Sequence, residues 1–315
     1  MSAANIPYFT FNNGIKVPSV GMGCWMGQPG GGEEAEEMCA NALKMGYRHI
    51  DTAFGYGNEE HVGKAIRNSG IPREEIFVTT KLGQAHHHKV EEGFETSLKN
   101  LGLDYVDLYL MHWPQAQVDG VILPPEQHPT IIDTWKDMEK LVATGKVKSI
   151  GVSNFSIQTL SQLLPHCTIK PVTNQVELHP CLPSHELKKF CEDNGILLTA
   201  YSPLGQSNHL FFDHPDIVLV ATAHNATPAQ VSMSWSVQRG TIVIAKSAKV
   251  ARMKENITLF QLTPEEMTLV DNVHKTPGFH RSLLAYHDDD GSTFGWKYEY
   301  LGWPFTKGGI VASSA

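Results

Sequence analysis

Short apolar runs alternate with amphipathic stretches along almost the whole chain. The runs cover 19–23, 47–51, 76–81, 106–112, 147–152, 172–177, 196–201 and 241–247. Each has the length of a buried strand. Between them, 33–45, 58–68, 88–101, 130–143, 157–164, 183–194 and 228–239 carry helical periodicity. In the first of these, Ala35, Met38, Ala42 and Met45 fall on one stripe, as a helix packed on a sheet requires. Thr144-Gly145 and Asn194-Gly195 end two helices with a residue suited to a left-handed cap. Ahead of all this, Tyr8 to Phe11 and Ile15 to Val17 predict a hairpin turning through Asn13-Gly14. Eight strand-plus-helix units with no linker predict an α/β chain, a (β/α)8 TIM barrel with an N-terminal hairpin, in which residues 1–315 form a single domain. An open doubly wound sheet would carry G-x-G-x-x-G after its first strand. Gly21, Gly23 and Gly27 are spaced one residue too long for it, so they are expected only to permit a tight turn. Gly30-Gly31-Gly32 lacks the G-K-[ST] of a phosphate loop.

The polar residues at the ends of these runs add chemistry to the pattern. Asp51, Lys81, His112, Ser153-Asn154, Gln175 with Glu177, Tyr201-Ser202 and Lys246-Ser247 lie at or near seven of the eight ends. In a parallel barrel all of those ends open on one face, where active sites sit. Tyr56 follows Asp51 between two glycines, which predicts a phenol exposed on a bent loop. A free phenol, with a pKa near 10, is a poor acid at neutral pH. A neighbouring ammonium favours its ionised form, Lys81 can be that ammonium, and Asp51 can orient it. His112 can donate a hydrogen bond to a carbonyl oxygen. The set offers a proton donor and an oxyanion site but no hydride source and no strong nucleophile, so a cofactor is implied.

Charge narrows the partners. Lys plus Arg number 25 against 33 Asp plus Glu, a net −8, which excludes nucleic acid and anionic membrane as the main partner. No run approaches the ~20 apolar residues of a membrane span. The opening residues have no basic end followed by an apolar run, so no secretory leader is expected. The five cysteines are scattered without a C-x-x-C, as expected for reduced thiols in a cytoplasmic protein. Within this acidic chain Lys246, Lys249, Arg252 and Lys254 concentrate positive charge in nine residues. Lys249 and Arg252 are expected to share a helix face and to clamp a phosphate. His86-His87-His88 cannot all face one ion from a regular element and has no acid or cysteine at ligand spacing, so no metal site is expected.

Eight segments, GMGCWMG, HIDTAFGYGNEEHVGKAI, VTTKL, LGLDYVDLYLMHWP, GKVKSIGVSNFS, NQVELHP, AYSPLG and KSAKVARMKEN, follow one another in an order that resembles the aldo-keto reductase superfamily over nearly the whole chain. The resemblance implies a catalytic set of Asp51, Tyr56, Lys81 and His112, with tyrosine as general acid and base. It implies hydride from a nicotinamide dinucleotide, NADPH/NADP+ in preference to NADH. Ser153, Asn154 and Gln175 would hold the carboxamide, and Tyr201 would stack on the ring with Ser202 and Leu204 beside it. Lys246, Ser247 and Arg252 would contact the 2′-phosphate, with Glu255 and Asn256 toward the adenine. Ala245 and Lys249 depart from the usual residues of that motif. Trp25, Phe54 and Trp113 would wall the substrate pocket, and Gly83, where relatives often have tryptophan, would widen it. The aromatic-rich tail from Phe279 resembles those of fungal members, where it folds over the mouth. Read without the resemblance, most of the tail's rings would only pack on the barrel's outside. The branch resembled is that of monomeric aldehyde or aldose reductases acting on small carbonyl or alcohol substrates. A cofactor-binding regulatory subunit on the same fold is the alternative.

Overall fold

The computed structural model describes residues 6–312; the first five residues, which open the stretch expected not to be a leader, lie outside it. The chain enters through a hairpin of β1 (Tyr8–Thr10) and β2 (Lys16–Pro18). Its turn is not the two-residue Asn13-Gly14 expected. Phe11 N–H donates to Ile15 and Gly14 N–H donates back to Phe11, so residues 12–14 form a three-residue loop with Gly14 at φ 83°. Phe11 and Val17 then pack on Phe77, Val172 and Ile242, at or just before the starts of three barrel strands, so the hairpin plugs the barrel's N-terminal end.

Eight parallel strands close the barrel: β3 (Val20–Gly23), β4 (His49–Asp51), β5 (Phe77–Leu82), β6 (Val106–Met111), β9 (Val147–Ser153), β10 (Thr173–Glu177), β11 (Leu197–Tyr201) and β12 (Ile242–Ala245). Each overlaps one of the eight apolar runs, with ends that differ by no more than two residues. A small hairpin, β7 (Gln117–Val118) and β8 (Val121–Ile122), sits in the loop after β6. The ring closes where Val243 of β12 pairs with Val20 of β3.

The surrounding helices are α1 (Gly32–Met45), α2 (Glu59–Arg67), α3 (Val90–Leu101), α4 (Ile131–Val142), α5 (Ile157–Leu163), α6 (His185–Asp193), α7 (Pro215–Ala223), α8 (Pro228–Gln238), α9 (Val250–Asn256) and α10 (Pro264–Asn272). Their buried faces and the outward faces of the strands make one apolar layer that includes Trp135, Trp235, Phe94 and Tyr109. The periodicity reading omitted α7 and α10. Asp-Ile-Val-Leu-Val-Ala in α7 has no polar stripe, so its period is hidden. The capping signals were there to find: both helices begin with proline at the first turn, and Thr263 with Glu266 forms a capping box on α10.

Gly21 and Gly23 do not make the tight turn expected of them, because both lie within β3. A Cβ on Gly21 would stand 2.6 Å from Ile244 Cδ1 and 2.9 Å from His49 Cγ. Their smallness lets neighbouring strands' side chains fill the barrel interior. Gly63 answers a similar demand outside it. A Cβ there would lie 1.9 Å from the Leu101 carbonyl oxygen, a backbone atom that Arg67 also caps. Gly63→Ala gains ~1 kcal/mol of helix propensity but must push α2 off α3, an overpacking cost of about 1–3 kcal/mol. The expected net effect is a lower urea midpoint with unchanged slope; a raised midpoint would show that α2 shifts freely.

Beyond α10 the tail holds two short hairpins, β13 (Ser292–Thr293) with β14 (Trp296–Lys297) and β15 (Phe305–Thr306) with β16 (Ile310–Val311). One turn of helix, α11 (Tyr298–Leu301), separates them. The tail crosses the C-terminal mouth of the barrel: Gln115 Nε2 donates to the Thr293 carbonyl at 2.9 Å, and Trp296 Nε1 donates to the Leu123 carbonyl at 2.7 Å.

Candidate active site

At the mouth, the register of β4 and β5 sets the first contact. Asp51 ends β4, and Lys81 is the penultimate residue of β5. The Lys81 ammonium is fully buried and donates to Asp51 Oδ1 at 2.5 Å, to the Thr52 carbonyl at 2.8 Å and to the Tyr56 hydroxyl at 3.4 Å. Three acceptors for three N–H donors leave the ammonium no spare hydrogen. Burial opposes its charge, but Asp51 and then Tyr56 outweigh that and hold Lys81 above its usual range. The other oxygen of Asp51 accepts from Gln175 Nε2 at 2.7 Å.

Tyr56 is not the exposed loop phenol that its flanking glycines suggested. It ends a turn of 3-10 helix, Phe54–Tyr56, and is half-buried, with its ring 5.1 Å from that of Trp25 and 5.6 Å from that of His112. Burial pushes its phenol above 10, and the Lys81 charge pulls it back only in part. Here the phenol is a protonated acid at neutral pH. His112, the first residue after β6, is half-buried and lies well below its usual range because desolvation and then the Lys81 charge oppose its protonation, so its imidazole is neutral. Among the described residues its ring nitrogens make no hydrogen bond, which leaves one N–H free for a ligand oxygen.

A second arc of polar groups runs across β9, β10 and β11. Ser153 Oγ donates to the Gln175 carbonyl at 2.8 Å. Asn154 is held at φ 66°, outside the range most side chains adopt. Its Nδ2 donates to the His112 carbonyl at 2.9 Å, and its Oδ1 accepts from Tyr201 at 2.7 Å. Ser202 also has positive φ, 48°, and Leu204 is half-buried on the core.

The basic cluster follows β12. Lys246 and Arg252 are exposed and Ser247 is buried. Lys249 does not share a helix face with Arg252 as expected; it is the N-cap of α9, with extended backbone. Arg252, Glu255 and Asn256 occupy adjacent positions of α9 at i, i+3 and i+4. Asn256 Nδ2 is buried without a partner, a donor waiting for an acceptor that the described residues do not supply. That orphan, with cations on the same short helix, fits the adenine and phosphate end of a dinucleotide.

The apolar walls also form. Trp113 is buried and meets Tyr286 at 5.5 Å, Phe294 at 4.7 Å and Trp303 at 6.0 Å between ring centroids. These three tail rings therefore pack on the mouth, not on the barrel's outside. Gly83 does not open the pocket as expected: a Cβ there would lie 2.9 Å from Phe54, whose ring sits edge-on against His86. Of the three consecutive histidines, His86 ends a 3-10 turn, Gln84–His86, and His87 and His88 lie in the turn before α3; no group of metal-ligating side chains occurs among the described residues.

The sequence profile of the Aldo/keto reductase family matches residues 19–275. This chain belongs to the aldo/keto reductase family. It is 44% identical over 291 residues to a glycerol 2-dehydrogenase (NADP(+)) of Saccharomyces cerevisiae, covering 86% of this chain and 92% of that one. It is 43% identical to an aldehyde reductase of the same yeast, covering 86% and 91%. An aldo-keto reductase of Bombyx mori in complex with NADP superposes with a TM-score of 0.81 at 34% identity, covering 89% of this chain and 95% of that one.

For an aldo/keto reductase sequence, two supporting groups escaped the reading above. Asn58 is buried, accepts from Thr52 Oγ1 at 3.0 Å and donates to the Cys24 carbonyl at 2.8 Å. It thereby fixes the backbone that carries the Thr52 carbonyl to Lys81. Its place in the quoted HIDTAFGYGNEE segment was the available signal. The other group is the tail's attachment to Glu177. No local pattern announces it, because its partners lie more than a hundred residues downstream.

Proposed function

We propose that this protein reduces aldehydes and ketones to alcohols with NADPH, reversibly, at the mouth formed by Asp51, Tyr56, Lys81 and His112. The observation that carries this reading is the buried Lys81 ammonium, which joins the Asp51 carboxylate to the Tyr56 hydroxyl. A bound NADPH supplies the hydride that the side chains lack. The substrate oxygen sits between Tyr56 and His112. As negative charge grows on that oxygen, Tyr56 transfers its proton to it, and the phenolate left behind is stabilised by Lys81. Neutral His112 donates a second hydrogen bond to the same oxygen. Alcohol oxidation runs these proton movements in reverse.

Ser153, Asn154 and Gln175 would receive the carboxamide, and Tyr201, with Ser202 and Leu204, would support the ring. Lys246, Ser247 and Arg252 would hold the 2′-phosphate, with Glu255 and Asn256 at the adenine. Trp25, Phe54 and Trp113 would wall the substrate. The relatives named for glycerol and for aldehydes direct the substrate search to small polyols and their carbonyl counterparts. We place the protein in the cytoplasm as a monomer. In support, all five cysteines are free thiols, and no described helix is long and apolar enough to cross a membrane.

A panel of aldehydes, aldoses, keto-acids and polyols, assayed with NADPH and with NADH, tests the reading directly. Cofactor binding without turnover of any member would favour a regulatory subunit instead. Arg252→Ala should weaken NADPH by the roughly 1.5–3 kcal/mol of a charged hydrogen bond and leave NADH nearly unchanged, because only NADPH carries the 2′-phosphate. Fluorescence titration with both cofactors measures this, and equal losses would remove Arg252 from the phosphate site.

A further inference from the structure

Glu177, the last residue of β10, has a use that the chemistry above leaves unexplained. It is 4% exposed, and its carboxylate accepts four hydrogen bonds. Oε1 accepts from His179 Nε2 at 2.8 Å and from the Leu283 N–H at 2.8 Å. Oε2 accepts from Ser282 Oγ at 2.6 Å and from the Tyr286 hydroxyl at 3.1 Å. Burial opposes the charge, but the bonds from His179, Ser282 and Leu283 outweigh it and hold Glu177 below the ordinary carboxylate range. Three of the four donors belong to five consecutive residues of the tail. Hydrogen bonds to an ionised acceptor are roughly twice as strong as neutral ones. The 282–286 segment is therefore anchored on the barrel by one buried charge at a strand end.

Tyr286 carries that anchor into the site. Its hydroxyl lies 3.0 Å from that of Tyr201, whose own proton goes to Asn154. Its ring packs on Trp113, the wall of the mouth, and lies 6.2 Å from Phe294. Moving the 282–286 segment would thus move the ring that faces the substrate wall and the phenol that touches the nicotinamide seat.

We propose that Glu177 is a positioning residue that latches the tail over the mouth and, through Tyr286, sets which carbonyl compounds the site accepts. The part concerning substrates rests on the reductase reading; the latch itself does not. Glu177→Gln keeps the size but removes the charge and turns an N–H2 toward groups that are themselves donors. The tail segment must then shift. Tyr286→Phe keeps the ring but loses its donor, and Ser282→Ala loses a second one.

The experiment compares wild type, Glu177→Gln and the double variant Ser282→Ala with Tyr286→Phe. It reads amide hydrogen exchange over 282–286 and the ratio of kcat/KM for a bulky aromatic aldehyde to that for a short aliphatic one. Exchange over 282–286 should quicken at least ~10-fold in Glu177→Gln, the scale of one lost charged hydrogen bond, with the barrel strands unchanged. The kcat/KM ratio should shift by a similar ~10-fold, and the double variant should change both in the same direction. Unchanged exchange in both variants overturns the latch. Faster exchange with an unchanged ratio overturns the role in selectivity. If wild type turns over neither aldehyde, the reductase reading fails while the exchange result still decides the latch. Should Glu177→Gln fail to fold, the double variant, confined to the tail, carries the same two readouts.

Discussion

Tyr56→Phe should cut kcat by at least the ~10²–10⁴ that general acid catalysis contributes, with NADPH affinity nearly unchanged. The ring would still rest on Trp25 and His112, because those contacts involve the ring and not the hydroxyl. What disappears is, among the described residues, the one group in contact with Lys81 that can release a proton to the substrate oxygen. Single-turnover kinetics with an activated aldehyde isolate the chemical step. If Tyr56→Phe retained near wild-type turnover, Tyr56 would be a packing residue and Asp51–Lys81 an ordinary buried ion pair.

Lys81→Met should damage both turnover and the fold. It strips a fully buried charge from between Asp51, the Thr52 carbonyl and Tyr56. Removing one partner of a buried pair typically costs about 3–5 kcal/mol, because the other charge is left uncompensated. Gln175 Nε2 still serves Asp51, which blunts the loss without cancelling it. The kinetic sign also follows. Lys81 lowers the Tyr56 pKa, so without it any inflection due to Tyr56 in the pH–rate profile of alcohol oxidation must move upward. Asp51→Asn should be milder, since Lys81 keeps the Thr52 carbonyl, the Tyr56 oxygen and an amide oxygen in place of the carboxylate. A downward move of the inflection in Lys81→Met, or a larger kcat loss in Asp51→Asn than in Lys81→Met, would contradict the arrangement.

Much of this site was legible along the chain, for a physical reason. An apolar strand that ends on Asp51, or holds Lys81 next to its last residue, departs from a pattern that burial otherwise enforces, and a barrel turns seven such departures toward one face. What local pattern cannot supply is the identity of a distant neighbour. Glycines beside Tyr56 announced a bend, but Trp25 and His112 determined its burial. Gly21 looked like freedom to turn, while Ile244 and His49 made it a demand for space. Gly83 looked like an opening until Phe54 filled it. Glu177 read as one more polar residue at a strand end, and only the folded tail shows what it holds.

The pairing of Val20 with Val243 also governs assembly. Until β12 has been made, the growing sheet has two raw edges, β3 and β11, each with a row of unsatisfied N–H and C=O groups ready to accept a strand from another chain. A polypeptide terminated before Ile242 would keep both edges permanently and should aggregate, although seven of the eight strands are present. The full-length chain is exposed to the same hazard only for the interval between synthesis of β3 and emergence of β12.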